Sequence, residues 1–524
     1  MSKVKKLFSE VITNEKLFIT FFVFAAFVPT FLVYKSGMPV IKWNDAFTGL
    51  FSDNFYYNQA YVWNYAVSSG VSANFYSSIL FFEYLMNKFF SFLSLPVYLI
   101  QAVQLWMIIF FSFLGVFLLV KDLLQQAEYI KHKQVIAFIT ALFYLLNFYM
   151  LYRVFYRGCF FIFLPLILPY SILFLWKALN SKKVVYIILA AFVPAVSTIM
   201  FMSPGYGILI YFSIFIAVLI FYFSLNRERY LKKIIGLYFL FLSLFNFYWI
   251  LPSLFFLNRA VSNVNKLNSS EAAISAGAQA QGLLESICLI PKKSWMLWKI
   301  KGLLNSSIFF KNGIFVILSF IIPIVIFSQM IFIKKCKVST QRIVIVLFSI
   351  LALSLFFSKG ANPPFAFINS FLISKTLLMR IMAGTDKFPY LTMVLYTALL
   401  PFALIIFQKR FKDNIVQRLY LSLFVIIMIN SFSFWNGSIF IGNVIWSGAR
   451  VSSYVEIPES YYLLKQKLNS KRADFKLAFL PLVPFDMPTL KWKFGYLGDD
   501  FRRNFFSRAA FSNKSLIPSW DIAT

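Results

Sequence analysis

The sequence predicts an all-α polytopic membrane protein with about eleven transmembrane helices, interfacial helices in its external loops and a small α/β or irregular external C-terminal segment. Of its 524 residues, 60% are hydrophobic and only 13% are charged, and Phe alone contributes 68. A soluble chain cannot bury so much apolar surface in one core. Apolar stretches of about 20 residues, the length that crosses a bilayer, recur from Leu17 almost to Trp435.

The formal net charge of +31 comes from Lys and Arg residues that fall largely in short clusters between apolar runs. This distribution is typical of cytoplasmic connections in membrane proteins and argues against a nucleic-acid partner. The clusters lie at residues 3–16, 121–133, 177–183, 227–233, 334–342 and 409–418. We expect all of them on the cytoplasmic side of the cell membrane.

This placement predicts a cytoplasmic N-terminus and an extracytoplasmic C-terminus. The first apolar run is read as a span and not as a cleaved signal peptide, because it is long and is followed by no small-residue cleavage site. The predicted spans are residues 17–35, 97–120, 135–152, 159–178, 184–201, 207–225, 234–257, 313–333, 343–358, 389–408 and 419–435.

Four long segments are predicted outside, at 36–96, 258–312, 359–388 and 436–524, and long structured loops usually carry function. The helical spacing of aromatic residues predicts interfacial helices over 54–66 and 74–93. Residues 1–435 are therefore a transmembrane domain. Residues 436–524, with a predicted short helix and a strand over 476–480, are an external segment that docks on it or begins a larger soluble region.

Histidine and cysteine do not indicate a metal site or a disulfide framework. The single histidine, His132, lies in a basic loop, and the three cysteines, Cys159, Cys288 and Cys336, are far apart in the sequence.

Carboxylates are scarce on the predicted outer side, which makes Asp45 and Asp53 of the first loop the leading candidates for a general base. Asp45 follows the first span by about ten residues, a position at the membrane surface where a base would meet a lipid-linked group. Both residues also suit the N-cap of a helix, which is the structural alternative.

Cations gather where the positive-inside rule disfavours them. The segment from 358 to 391 carries Lys359, Lys375, Arg380 and Lys387 around helix-breaking Gly and Pro residues. These side chains suit an anionic headgroup such as a polyprenyl phosphate, with snorkelling anchors as the alternative. Arg153 and Arg157 form a smaller external pair, equally suited to phosphate binding and to anchoring.

The order of several short motifs resembles the GT-C glycosyltransferases, in particular the membrane domain of arabinofuranosyltransferase-like proteins of bacterial envelope synthesis. They are WNDAFTG, YVWNYAVSSGV, LSLPVYLIQAVQLW, ALFYLLNFYMLYRVFYRG, SKGANPPFAFI, LLMRIMAGTDKFPYL, VEIPESYYLLKQKLN and WKFGYLGDD. The resemblance covers most of the chain, although each motif is short and degenerate.

This resemblance implies transfer of a sugar from a polyprenyl-phosphate donor to an extracytoplasmic glycan or lipid-linked acceptor. Asp45 then matches the catalytic acid of the early loop, and Arg380 and Lys387 match cations that face the donor phosphate. The spacing between those two cations departs from the family pattern, which makes Asp386 an alternative acid. Many GT-C members hold a divalent cation with acids of this loop, so metal dependence stays open.

Two other classes of function compete with this interpretation. A transporter or flippase of envelope lipid or glycan precursors would use the many spans, but the sequence has no clear internal repeat and few ionisable residues within spans. A non-catalytic scaffold for envelope assembly would have the same sequence pattern.

Overall fold

The structure is a computed structural model, and the part of the chain that it describes is a helical bundle with short peripheral strands. The described residues are 14–40, 63–64, 71–72, 81–125, 131–151, 155, 164–196, 204–225, 228–255, 282–290, 313–382, 387–441, 453–470, 477–478, 489–490, 492–493, 496–497 and 510–511.

Eleven helices of 13 to 29 residues form the bundle within the described residues. They are α1 (Glu15–Tyr34), α3 (Val97–Gln125), α4 (Lys133–Leu146), α6 (Leu164–Ser181), α7 (Val184–Val196), α8 (Pro204–Leu225), α9 (Glu228–Phe255), α11 (Gly313–Phe332), α12 (Val338–Ser358), α15 (Lys387–Arg410) and α16 (Asp413–Asn430). Each coincides with one of the predicted spans. An apolar span is expected to be helical, because a backbone in hydrocarbon must satisfy its own hydrogen bonds.

Six helical segments of the described chain are long and apolar enough, by length and composition, to cross a membrane, and shorter apolar helices accompany them. The six are Glu15–Tyr34, Val97–Gln125, Lys133–Met150, Thr340–Ser358, Lys387–Arg410 and Asp413–Asn430. The chain is therefore an all-α polytopic membrane protein, as its composition predicts.

Shorter elements lie between and after the long helices. The helices are α2 (Phe81–Phe92), α5 (Phe148–Met150), α10 (Leu283–Ile287), α13 (Ala366–Lys375), α14 (Leu377–Met382), α17 (Phe432–Trp435), α18 (Ser438–Ile441) and α19 (Glu459–Asn469). The two-residue strands are β1 (Trp63–Asn64), β2 (Val71–Ser72), β3 (Leu477–Ala478), β4 (Thr489–Leu490), β5 (Tyr496–Leu497) and β6 (Ala510–Phe511). Strands β1 and β2 pair antiparallel, as do β4 and β5, whereas β3 and β6 pair parallel.

One predicted interfacial helix is wrong where the structure describes it. Trp63 and Asn64 belong to the predicted helix 54–66 but form strand β1, with Trp63 opposite Ser72. Aromatic and β-branched side chains favour strands, and the intervening Ser-Ser-Gly sequence favours a turn, so this local preference outweighs the helical spacing. The second interfacial helix is confirmed over Phe81–Phe92. In the C-terminal segment, α19 and β3 confirm the predicted helix and strand.

Several basic clusters meet at one end of the bundle, called the basic end below. There Lys121 at the end of α3 pairs with Glu15 of α1 at 2.7 Å, and His132 before α4 lies 3.2 Å from Asp413 of α16. Lys177 of α6 approaches Asp122 at 3.9 Å. The helices alternate in direction from this end, so α12 ends and α15 begins at the other one, called the opposite end.

Close aromatic packing holds α1, α3 and α4 together in the core. Phe22 of α1 is fully buried, stacks on Phe113 of α3 with ring centroids 5.0 Å apart and contacts Phe138 of α4 at 5.5 Å. Offset and edge-on aromatic pairs stabilise such contacts beyond area burial alone. These three helices form a rigid base for the chain segments at the opposite end.

Candidate functional site

The chain segment after α1 is fastened at the opposite end by a buried glutamine. Gln101 of α3 accepts a hydrogen bond from the Val40 N–H at 2.9 Å and donates one to the Val40 carbonyl at 3.1 Å. Tyr454 of the C-terminal segment forms an antiparallel bridge with Val40, and its hydroxyl donates to the Val33 carbonyl at 2.5 Å. We call Val40, Gln101 and Tyr454 the Val40 anchor. It joins α1, α3 and the C-terminal segment at one point.

The two acids predicted for the first loop, Asp45 and Asp53, lie outside the described residues. Asp45 follows Val40 by five residues, so even a fully extended chain carries it no more than about 18 Å from the Val40 anchor. Val40, the last described residue before both acids, lies at the opposite end of the bundle.

The segment after α4 is also fixed at the opposite end. Asn147 accepts a hydrogen bond from the Met150 N–H at 3.1 Å and donates to the Phe143 and Tyr144 carbonyls at 3.0 and 2.7 Å, so it ends α4 and caps α5. Farther on, Phe155 is 1% exposed. Its ring contacts those of Phe434 in α17 and Phe440 in α18, each at 5.4 Å.

Arg153 and Arg157, the predicted external pair, lie outside the described residues, two positions on either side of Phe155. Phe155, the described residue between them, is buried against α17 and α18.

Ring contacts bring the start of α15 to the same region. Tyr149 of α5 lies 6.2 Å from Tyr390, and Phe388 lies 5.1 Å from Phe357 of α12. Lys387 is the first residue of α15 and therefore lies beside both contacts. Asp386, the alternative acid that immediately precedes it, lies outside the described residues.

Lys359, the first residue after α12, differs from a solvated anchoring lysine. It is 1% exposed, and its ammonium group donates to the Asn362 carbonyl at 2.8 Å and lies 4.6 Å from the Phe356 ring centroid. Asn362 donates in return to the Lys359 carbonyl at 2.9 Å. Desolvation lowers the pKa of this ammonium group below the ordinary lysine value. The side chain therefore fastens the turn that follows α12.

The structure places Arg380, the other predicted phosphate ligand, in the short helix α14. Helix α14 follows α13 directly and ends five residues before α15 begins, so Arg380 and Lys387 flank the same connection. Ring contacts thus bring the end of α12, next to Lys359, and helix α5 to the start of α15. The Val40 anchor lies at the same end of the bundle.

Buried hydroxyl groups, which the sequence analysis did not single out, join α12 to α15 beside Lys359. Ser354 lies 2.8 Å from the Thr392 hydroxyl and donates to the Phe388 carbonyl at 3.1 Å, while Ser358 lies 3.4 Å from Thr392. Asn369 of α13 adds two bonds, to the carbonyls of Phe356 and Gly360.

Uncharged polar residues within apolar stretches, such as Gln101 in LIQAVQLW, were the signal that could have revealed these positions. Charge does not mark these positions, because all of these side chains are neutral.

Helix α10 packs against α15. The Tyr396 hydroxyl donates to the Ile287 carbonyl at 3.0 Å, which holds α10 against α15. Burial raises the pKa of the neighbouring Cys288 thiol to about 11. A thiol protonated at neutral pH is a poor nucleophile, and the Cys288 side chain is buried.

A divalent cation is not supported by the described side chains. Among the residues that the structure describes, no group of three or more His, Cys, Asp and Glu side chains is placed to hold a metal ion. The acids that the resemblance would use, Asp45 and Asp53, fall outside those residues.

No protein-family model and no curated protein sequence matches the chain. Among solved structures, the chain is similar to the cryo-electron microscopy structure of the arabinofuranosyltransferase AftD from Mycobacteria, with a TM-score of 0.56 and 11% sequence identity. The match covers 94% of this chain and 33% of AftD, so the chain spans about a third of the length of that protein. At this identity the likeness concerns the fold, and the chain is a multi-pass membrane protein with a GT-C-like fold.

Proposed function

We propose that the chain is a membrane glycosyltransferase that moves a sugar from a polyprenyl-phosphate donor to a glycan or lipid-linked acceptor. The observation that carries this proposal is the fold likeness to an arabinofuranosyltransferase over 94% of the chain. The start of α15 at Lys387 supports it, because this cation lies at the same end of the bundle as the Val40 anchor, and phosphate binding needs cations.

In the proposed reaction, the acceptor hydroxyl oxygen forms a bond to the anomeric carbon while the bond from that carbon to the donor phosphate breaks. Asp45 takes the hydroxyl proton, with Asp53 and Asp386 as the alternative acids. The negative charge that develops on the departing polyprenyl phosphate is stabilised by Arg380 and Lys387, together with Arg153 and Arg157.

Lys359, an expected phosphate ligand, receives a different role in this proposal. Its ammonium group is buried, donates to the Asn362 carbonyl and faces the Phe356 ring. These contacts support a positioning residue that fixes the turn between α12 and α13 and so sets where the connection to Arg380 begins.

We further propose that the opposite end faces the extracytoplasmic side of the cytoplasmic membrane. The basic end then faces the cytoplasm, in keeping with the positive-inside rule, and the N-terminus is cytoplasmic. Residues 1–435 would form the membrane domain, and residues 436–524 would form an external segment joined to it at the Val40 anchor.

Reconstitution in liposomes tests the function directly. The purified chain is supplied with polyprenyl-phosphate arabinofuranose, the donor that the neighbour's name suggests, and then with other polyprenyl-phosphate sugars, and glycosylated acceptor is measured. We expect a glycosyl product with at least one donor. If labelled lipid moves across the bilayer and no glycosyl product forms, the chain is a transporter and the proposal is wrong. If neither lipid movement nor product is detected, the scaffold interpretation is favoured.

A further inference from the structure

We propose that helix α13 is a membrane-surface anchor, with its phenylalanine face in the interfacial layer of the bilayer and Lys375 at the phosphates of anionic lipid headgroups. The ten residues of α13 extend about 15 Å, far less than the roughly 30 Å hydrocarbon layer. The helix cannot span a membrane, but a short helix with an exposed apolar face can lie in its surface. This anchor does not depend on the proposed transfer reaction.

The outward face of α13 is unusually apolar for a surface helix. Phe367 is 71% exposed and Phe371 is 60% exposed, and Phe365 just before the helix is 61% exposed. Residues four apart share one helix face, so Phe367 and Phe371 form a continuous aromatic strip. Such a strip requires an apolar environment to cover it.

The inward face of α13 is fixed by one buried asparagine. Asn369 is 1% exposed, and its amide donates to the Phe356 carbonyl at 3.0 Å and to the Gly360 carbonyl at 2.6 Å. These bonds attach α13 to the end of α12. The two phenylalanines are therefore held outward by the attachment of the opposite face.

Helix α2 is built in the same way at the same end of the bundle. Its Asn87 is 3% exposed and accepts a hydrogen bond from Gln104 of α3 at 2.5 Å, while Phe89 and Phe92 are 59% and 86% exposed. Helix α2, which was predicted to be interfacial, thus has a buried asparagine and exposed phenylalanines, and so does α13. Helix α13 itself was not predicted from the sequence.

Two observations favour a bilayer over a protein as the occupant of this face. Asn369 attaches α13 to α12, a candidate membrane span whose Ile345 and Leu353 are 48% and 57% exposed. Lys375 in the last turn is exposed, and a cation beside an interfacial apolar face complements anionic headgroups. A lipid surface supplies both an apolar layer for the phenylalanines and anionic phosphates for Lys375.

Site-directed spin labelling tests the position of α13 in the whole chain. Cys159, Cys288 and Cys336 are replaced by Ser, and a label is attached at Phe367→Cys or Phe371→Cys. The matched control is Leu463→Cys on α19, a position that is 57% exposed on a helix without buried residues. Collisions with oxygen report lipid, and collisions with a water-soluble nickel chelate report solvent.

We expect the labels on α13 to collide mainly with oxygen in vesicles and the label at Leu463 to collide mainly with the nickel chelate. Adding phosphatidylglycerol to phosphatidylcholine should bury the α13 labels more deeply, and Lys375→Gln should abolish that difference. The anchor would be overturned if the nickel chelate reached the label at Phe371 as readily as the label at Leu463, or if neither oxygen nor the chelate reached the label at Phe371. A label depth that does not change when phosphatidylglycerol is added would overturn the role of Lys375.

A second measurement keeps the native cysteines. Benzoylphenylalanine placed at Phe371 is photoactivated in the same vesicles, and the products are identified by mass spectrometry. Lipid adducts support the anchor. Crosslinks to a second copy of the chain or to another protein show that a protein covers this face and overturn it.

Discussion

The two ends of the bundle use charge in different ways. At the basic end, oppositely charged side chains such as Lys121 and Glu15 pair near the surface and connect neighbouring helices. At the opposite end, the contacts are made by buried uncharged groups, including Gln101 and Asn369, and Lys359 is buried without a carboxylate partner among the described ion pairs. Ion pairs thus connect the helices at the basic end, whereas buried polar contacts fix the chain at the opposite end.

The largest effect should follow from Asp45→Asn. Loss of the general base is expected to reduce transfer by about 10²- to 10⁴-fold while expression is unchanged. Initial rates with a polyprenyl-phosphate sugar measure the change, and Glu456→Gln, which alters a surface carboxylate paired with Lys493, is the control. Unchanged turnover would remove Asp45 from the mechanism and direct the test to Asp53 and Asp386.

A smaller effect is expected from Arg380→Ala and Lys387→Ala at the opposite end. Under the proposed function each variant loses a charge that binds the donor phosphate, so the half-saturating donor concentration should rise about tenfold, which corresponds to about 1.4 kcal/mol. Donor titration at fixed acceptor measures this shift. Lys121→Ala at the basic end is the matched control. If the donor affinity is unchanged in both test variants, Arg380 and Lys387 do not bind the donor phosphate, and membrane anchoring is the better interpretation.

The Val40 anchor should contribute more to stability than any surface pair. Gln101→Leu preserves side-chain volume but leaves the Val40 N–H and carbonyl without their partner, at an expected cost of about 2 kcal/mol. Thermal unfolding in detergent micelles measures this change, and Gln125→Leu, at an exposed position on the same helix, is the control. Equal unfolding temperatures for the two variants would contradict the importance of the anchor.

The smallest effect is expected at the basic end. Lys121→Ala removes a partly exposed ion pair with Glu15, and such pairs contribute about 0.5 kcal/mol. Lys121→Ala should therefore lower the unfolding temperature much less than Gln101→Leu does. High salt screens the ion pair and should make the effect of Lys121→Ala smaller still. A loss larger than that of Gln101→Leu would reverse the comparison between the two ends.

Much of the bundle was predictable, because hydrocarbon requires long apolar helices and short basic connections mark their ends. Each predicted span coincides with a helix, for example 97–120 with Val97–Gln125. The strand at Trp63 was not predicted, since helical spacing and strand preference conflict in a short aromatic segment.

The candidate site was predictable only in part. Sequence order pointed to Asp45, Arg380 and Lys387, whose roles remain predictions. The burial of Lys359 was not predictable, because a lysine at the end of a span usually extends its charge into water. Its position depends on the Asn362 carbonyl and the Phe356 ring, which only the folded turn brings within reach.

By itself, the sequence determined the membrane class, the order of the long apolar helices that the structure describes and the alternation of basic and acid-poor connections, because these follow from composition and hydropathy along the chain. Only the tertiary structure decided that Gln101 holds Val40, that Asn369 turns the phenylalanines of α13 outward and that Lys359 is buried. These outcomes depend on partners distant in sequence or on the geometry of a turn, and hydropathy contains no information about such pairings.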